Sequence, residues 1–157
     1  MNKIKLIFLT IFCVIACDNS TESILPEKGT ISGTISFLGD NCPTNNLSIG
    51  MYTNWFPTGP PAAFTTINSD SIINNSYDYI ISDIEFGTYQ AVFVAWEDIN
   101  TVNEASGQNQ QYTLGLYGST FDYTTNNLST PLIITLSSTD YEINNIDITA
   151  ACNLISN

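Results

Sequence analysis

Residues 87–98 read GTYQAVFVAWED, and the rest of the chain is organised around this stretch. From Thr88 onward, β-branched, aromatic or small residues occupy both alternating sets of positions, which is typical of a strand covered on both faces. A turn at residues 84–87 precedes the stretch, and Glu97, Asp98, Ile99 and Asn100 end it. The pattern predicts the central strand of a sheet, with two carboxylates delivered into a polar loop.

Shorter alternating segments lie on both sides of this stretch. Residues 29–37, GTISGTISF, alternate Ile, Gly or Phe with Thr and Ser, as in a half-buried strand. Comparable segments occupy residues 47–56, 62–67, 77–81, 112–118, 131–136 and 143–150. In the last one Ile143 is out of phase with Ile146 and Ile148, which suggests a bulge, and residues 119–130 are predicted to be irregular. Residues 57–61 (PTGPP) and 100–111 predict loops because they are rich in proline or in polar residues. No helical period follows the N-terminus, so we predict an all-β chain, a Greek-key β-sandwich of seven or eight strands.

The N-terminal residues carry the features of an export signal. Two lysines precede an apolar run over residues 6–15, and about ten residues cannot span a bilayer, which needs roughly twenty. The tetrad that closes this run, Val14-Ile15-Ala16-Cys17, resembles a bacterial lipobox. The resemblance implies cleavage after Ala16 and a diacylglyceryl group on Cys17. An ordinary secretory signal is the alternative.

These features divide the chain into three predicted parts. They are a lipoprotein signal peptide with a signal helix (residues 1–16), a lipidated N-terminus with a flexible tether (residues 17–28) and a β-sandwich domain (residues 29–157). The lipobox resemblance implies a location at the bacterial cell envelope, anchored on the outer membrane or the cell surface. Because Asp18 follows the lipid site, the periplasmic side of a membrane is the alternative.

The charge of the exported part is strongly negative. Lys28 is the only Lys or Arg beyond residue 5, all fifteen Asp and Glu residues lie at or beyond Asp18, and there is no His. Such a surface repels phosphate backbones and anionic lipid headgroups. Nucleic acid is therefore excluded as a partner.

The four cysteines lie in different predicted parts of the chain. Cys13 lies in the signal and Cys17 at the lipid site, which leaves Cys42 and Cys152 as the pair in the exported domain. An even pair in an oxidising compartment favours a disulfide. In a Greek-key sandwich the first and last strands commonly run parallel, which would bring both cysteines to the same end.

One family resemblance rests on the glycine and tyrosine pattern. Residues 29–37 and residues 79–89, YIISDIEFGTY, resemble the carboxypeptidase regulatory-like domains, the transthyretin-like or prealbumin-like (Ig/transthyretin-like) β-sandwiches of bacterial surface proteins. That family joins a Gly-x-(Ile/Val)-x-Gly-x-(Ile/Val) strand to a later tyrosine-containing strand, a turn and Gly-x-Tyr. The resemblance implies a spacer or binding role without catalytic activity. Residues 55–61 and 100–127 depart from the short form of the family, and as loops on a scaffold they are where a specific role is expected.

Catalytic chemistry has few candidate residues. The chain lacks His and the Gly-x-Ser-x-Gly, Asp-Thr-Gly and Asp-Ser-Gly motifs, so nucleophilic and aspartic-protease mechanisms lack their usual groups. A glycosidase-like pair would combine Glu97 or Asp98 with Asp122. We predict that the chain is not an enzyme, and a carboxylate-dependent hydrolase is the weaker alternative.

The acidic residues after the central strand suggest one cofactor alternative. Glu97, Asp98 and Asn100 share a predicted loop and carry the hard oxygen ligands that Ca²⁺ prefers. The loop has no EF-hand spacing, and solvated carboxylates are the simpler interpretation. We therefore predict no cofactor, with Ca²⁺ as the alternative.

Aromatic residues give the remaining candidate site. Trp55 and Phe56 precede the proline-rich loop, and Tyr117 lies among later tyrosines, so together they predict a contact surface for sugar rings or extended peptides. Trp96 is expected in the core.

The sequence therefore predicts a lipid-anchored, exported β-sandwich that acts as a structural or binding module at the cell envelope. Its expected partners are the membrane, through the N-terminal lipid, and a glycan or an envelope protein. The alternative function is a carbohydrate-binding module that uses the aromatic residues near Trp55.

Overall fold

The computed structural model describes residues 25–39, 42–119, 121–122 and 127–152. The predicted signal peptide and Cys17 lie outside the described residues. Within those residues the chain is all-β, with one short 3₁₀ turn at Ser69–Ser71. The strands are β1 (Lys28–Leu38), β2 (Leu47–Tyr52), β3 (Ala63–Thr66), β4 (Ser76–Glu85), β5 (Gly87–Tyr89), β6 (Ala91–Asn103), β7 (Gln108–Leu116), β8 (Phe121–Asp122), β9 (Asn127–Leu128), β10 (Ile134–Leu136), β11 (Glu142–Ile143) and β12 (Ile148–Ala151).

The first sheet is built around β1. Strand β4 pairs antiparallel with β1 along one edge. Strands β11 and β12 follow each other along the opposite edge, and both run parallel to β1. The first strand therefore lies beside the last one and parallel to it, as the sequence predicted.

The junction between β11 and β12 contains one residue more than the facing part of β1. Ile31 pairs with Ile143 and Ile35 pairs with Ile148, so four steps along β1 face five steps along the C-terminal segment. Asn145 takes up the difference with a left-handed backbone, at a φ of 62°. The predicted strand over residues 143–150 is therefore two strands, and the predicted irregularity lies between them.

Polar groups bridge this junction where the ladder is interrupted. The Ile146 N–H donates to the Ser32 carbonyl at 3.0 Å, and the Thr34 N–H donates to the Asp147 carboxylate at 2.9 Å. The buried Tyr79 hydroxyl donates to the Ile146 carbonyl at 2.6 Å. Burial raises the pKa of Tyr79 far above its usual range, and the nearby Asp147 charge adds to the effect. Tyr79 is thus held in its neutral, hydrogen-bonding form.

The second sheet has the antiparallel order β3-β2-β6-β7. Strand β5 does not belong to it, because β5 pairs with β10 instead. The predicted central strand is therefore confirmed for residues 91–98, which lie between β2 and β7, and is wrong for residues 87–90. The chain leaves one sheet after Tyr89 and joins the other at Ala91, and the Gln90 N–H between them donates to the Tyr52 carbonyl at 2.8 Å.

The two main sheets bury one shared core between them, as in a β-sandwich. Each sheet contributes the apolar side of its alternating strands. The largest fully buried side chains are Ile31, Ile35, Leu47, Ile49, Met51, Ile84, Leu114, Leu116, Leu136, Ile148, Val92 and Val94. All but Leu116 belong to this shared core.

A disulfide joins Cys42 to Cys152, whose Cα atoms lie 4.8 Å apart. Because β1 and β12 run parallel, the residues just beyond them reach the same end of the sandwich. The bridge spans a sequence separation of 110 residues. In the chain-entropy model a loop of this size stabilises the folded state by about 4–5 kcal/mol.

Three further boundaries differ from the predicted ones. Strand β2 ends at Tyr52 and does not continue through residues 53–56. Pro131 precedes its strand by three residues, since β10 begins at Ile134. The segment predicted as irregular after residue 118 contains the short antiparallel pair β8–β9.

The glycines of the family-like pattern differ in their surroundings, which gives a stability test. A Cβ at Gly33 would overlap the backbone of Ile146, whereas a Cβ at Gly87 would have no atom within 4 Å. We expect Gly33→Ala to lower the free energy of unfolding by about 2–3 kcal/mol, because the C-terminal segment must shift to make room. Gly87→Ala is the matched control and should change it by less than about 1 kcal/mol. Urea unfolding of the full chain measures both values, and equal midpoints for the two variants would show that the close approach at Gly33 is absent.

Candidate functional site

The second sheet has a second buried face, opposite the shared core. Alternation along β6 directs Val92 and Val94 inward, and Ala91, Phe93 and Ala95 therefore point outward. These three residues are nevertheless buried, with exposed fractions of 0%, 6% and 5%. Leu116, Tyr52 and Trp55 complete a small apolar cluster on this side, which we call the outer cluster. It explains why both alternating sets in residues 91–96 are apolar.

The connection between β2 and β3 covers part of the outer cluster. Its Trp55 N–H donates to the Gln90 side-chain carbonyl at 3.2 Å, which ties the connection to the point where the chain changes sheet. The Asn54 side chain donates to the Thr58 hydroxyl at 2.8 Å and to the Phe56 carbonyl at 3.2 Å. The connection that contains the predicted proline loop is thus tied to the sheet at Trp55.

Strands β6 and β7 extend beyond the rest of the sheet as a hairpin. The Asn103 side-chain oxygen accepts from the Ala105 N–H at 3.0 Å, and Gly107 has a φ of 68°, so the turn lies at residues 104–107. Across the hairpin, Glu97 faces Gln111, and the Asn109 amide donates to the Glu97 carboxylate at 2.7 Å. The prediction of a polar loop over residues 100–111 is wrong, because amide side chains occupy the ladder positions where apolar ones would have indicated a strand.

A cavity of about 410 Å³ crosses the outer face of the second sheet. All four strands contribute to its lining, and Pro60 and Pro61 of the β2–β3 connection complete it. The lining includes Phe64 on β3, Tyr52 at the end of β2, Phe93 on β6 and Gln111 on β7. We call this feature the outer groove.

The outer groove continues toward the hairpin. A second cavity of about 610 Å³ lies between the proline residues and the hairpin, and shares Tyr52, Pro60, Pro61 and Gln111 with the first. Each volume falls within the range of about 300–1,000 Å³ that is usual for ligand sites. The shared residues make the two cavities neighbours on the outer face of the second sheet.

Aromatic rings form the apolar part of the groove. The rings of Tyr52 and Phe93 stack with centroids 4.7 Å apart, and the Phe93 ring lies over Gly50, where a Cβ would come within 2.9 Å of it. Phe64 is 62% exposed at the edge strand. None of these aromatic residues was singled out from the sequence. Phe64 could most easily have been identified from the sequence, because it is a large apolar residue in the otherwise small and polar strand AFTT.

The sequence-predicted aromatic surface is not assembled. Trp55 packs half-buried on the outer cluster, and Phe56 stacks on it at 4.9 Å with 79% of its surface exposed. Tyr117 packs instead against the shared core, on the other side of the second sheet. Trp96 also packs against that core and stacks on Tyr112 at 5.4 Å, as expected of a core residue.

The three residues proposed for Ca²⁺ lie on the hairpin. Glu97 and Asp98 are neighbours on β6, so their side chains point to opposite faces. The Thr101 hydroxyl and the Asn100 N–H, the latter at 2.9 Å, donate to Asp98 and lower the pKa of its carboxyl below the usual range. No group of three or more His, Cys, Asp or Glu residues converges in the described part of the chain. The Ca²⁺ alternative stays a prediction, and the side chain of Asp122, the proposed hydrolase partner, lies outside the described residues.

Comparisons with known proteins leave the family open. No protein-family model matches the chain, and no curated protein or solved structure shows significant similarity to it. Among the described residues, no helix is long and apolar enough to cross a membrane.

The different settings of Trp55 and Phe56 can be tested directly. Trp55→Ala should lower the free energy of unfolding by about 1–3 kcal/mol, because it removes a half-buried ring from the outer cluster. Phe56→Ala, at the exposed neighbour, should change it by less than about 0.5 kcal/mol. Chemical denaturation of the full chain measures both. A Trp55→Ala variant as stable as wild type would contradict the packed position of this ring.

Proposed function

We propose that this chain is a lipid-anchored, exported β-sandwich that acts as a non-catalytic binding module at the bacterial cell envelope. The observation that carries the proposal is the outer groove. The shared core is completed on the other side of the second sheet, so packing of the core does not require the groove. A spacer would need only a covered sheet face. Here the groove combines exposed aromatic surface with amide side chains, the usual composition of a recognition site.

The disulfide supports the exported location. Structural disulfides form and persist in oxidising compartments, which include the periplasm and the cell surface. The bridge between Cys42 and Cys152 therefore agrees with the N-terminal signal and with lipid attachment at Cys17. We propose the outer membrane or the cell surface as the site of anchoring, with the periplasmic side of a membrane as the alternative.

We further propose a transthyretin-like, Greek-key connectivity for the sandwich. The parallel neighbours β1 and β12 support it, as does the Tyr89 hydroxyl, which donates to the Glu85 carbonyl at 2.6 Å. A tyrosine that bonds back to the backbone just upstream is a feature of Greek-key sandwiches at the corner between strands. The tyrosine belongs to the Gly-Thr-Tyr sequence on which the family resemblance rests.

The chemistry of the outer groove favours binding over hydrolysis. Of the carboxylates in the described part of the chain, only Glu97 lines the groove, and its oxygen already accepts from Asn109. Glycoside hydrolysis generally needs two carboxyl groups on either side of the scissile bond. A hydrolase through Glu97 or Asp98 with Asp122 stays the weaker alternative.

The anchoring claim has a direct test in the native host membrane. Mass spectrometry of the mature protein should find Cys17 as the first residue, carrying a diacylglyceryl group, and the protein should fractionate with membranes. Cys17→Ser should move the protein to the soluble fraction while its domain keeps the same melting temperature. An unmodified Cys17 in a soluble wild-type protein would refute the anchor.

A further inference from the structure

We infer that the outer groove binds a segment of an uncharged polysaccharide, with Phe64 as the stacking surface and Gln111 as the principal hydrogen-bonding side chain. This inference rests on the proposed binding function and names its ligand class. It also moves the carbohydrate site away from Trp55, Phe56 and Tyr117, where the sequence placed it.

Charge selects against ionic ligands. Within the described residues no Lys or Arg lines the groove, and Lys28, the only cationic side chain of the exported part, pairs with Glu85 at 3.2 Å. Phosphate, sulfate and uronate groups would therefore meet an acidic protein without a counter-charge. A cationic ligand would find a single carboxylate, Glu97, that is already hydrogen-bonded to Asn109. An uncharged polar ligand fits this surface best.

The amide side chains of the hairpin match sugar hydroxyls. Gln111 lines both cavities of the groove, and Gln108 lines the second one. In the described part of the chain, neither side chain makes a hydrogen bond, so each offers an unused donor and acceptor. A carboxamide presents both functions side by side, as neighbouring hydroxyl groups of a sugar require.

The aromatic residues supply the complementary apolar surface. Phe64 exposes 62% of its surface beside the stacked rings of Tyr52 and Phe93. The C–H face of a pyranose ring is apolar and packs on aromatic rings, while its edge carries the hydroxyl groups. Phe64 and Gln111 lie on the two outermost strands of the sheet, so a chain of sugar units crossing the sheet could meet both.

The shape of the groove favours a polymer over a peptide. The two cavities share four residues and therefore adjoin each other, which leaves room for an internal segment of a chain. An extended peptide is usually recognised through main-chain hydrogen bonds at a sheet edge. The groove instead crosses a sheet face, where the main-chain groups of β2 and β6 already pair with neighbouring strands.

Binding to soluble polysaccharides tests this inference. The full chain in detergent is assayed by affinity electrophoresis and calorimetry against an α-glucan, a β-glucan, a mannan, a xylan and a galactan, with alginate as an anionic comparison. We expect at least one neutral polymer to bind and alginate not to bind. Phe64→Ala and Gln111→Ala should each weaken that binding by about tenfold.

Phe56→Ala is the matched control, because it removes an equally large, exposed aromatic side chain outside the groove. Unchanged binding in this variant supports the groove, provided that all variants keep the wild-type melting temperature. Loss of binding in Phe56→Ala with retention in Phe64→Ala would place the site at Trp55–Phe56 and overturn the inference. Failure of all five neutral polymers, or binding of alginate alone, would also overturn it.

A failure of the polysaccharide inference can be distinguished from a failure of the proposed function. Absence of polysaccharide binding removes the ligand class but leaves the membrane anchor, which mass spectrometry of Cys17 decides. Measurement of reducing ends in the same mixtures tests separately whether the groove hydrolyses the polymer. New reducing ends that disappear in Phe64→Ala would support the groove as the carbohydrate site and refute its non-catalytic role.

Discussion

The change of sheet at Gln90 is the constraint on which the rest of the structure depends. The chain pairs with β10 in a separate two-stranded sheet up to Tyr89, with β2 from Ala91 onward and with β7 from Phe93 onward, so one continuous stretch belongs to two sheets. The Gln90 main chain donates to Tyr52, and its side chain accepts from the Trp55 N–H. The same residue therefore sets the path of the chain and holds the connection that covers the outer face.

This arrangement gives the second sheet two apolar faces with different roles. Val92 and Val94 complete the shared core, whereas Phe93 lies between two alanines on the outer cluster. Small residues at 91 and 95 leave space around the Phe93 ring, and Gly50 leaves space beneath it. The aromatic floor of the groove thus follows from a size pattern on β6 and from one glycine on β2. The hairpin and the proline residues complete the lining of the groove, which a sandwich that serves only as a scaffold would not need.

The sequence predicted those parts of the fold in which apolar periodicity is strong. Strands β1, β2 and β4 and the parallel placement of β1 and β12 follow from alternation and from general sandwich topology. The sheet change was not predictable, because the apolar pattern continues through it and Gln90 is its only interruption. The hairpin was missed because its ladder positions carry Gln and Asn, which are polar residues that are common in loops. The sequence did not show which face each aromatic residue takes, because that depends on the parity of each strand. Tyr117 packs against the shared core, whereas Trp55 lies on the outer cluster.

The hairpin differs most from the sequence-based expectation, and it contributes Glu97 and Gln111 to the lining of the groove. Amide hydrogen exchange of the full chain, resolved by NMR, tests it most directly at residues 97–98 and 110–113. We expect alternating protection in these two segments, with slow exchange at the amides that pair across the hairpin and fast exchange at Glu104 in the turn. Uniformly fast exchange from residue 97 to residue 111 would show a polar loop, and would remove both the amide-bearing side of the groove and the proposed binding site.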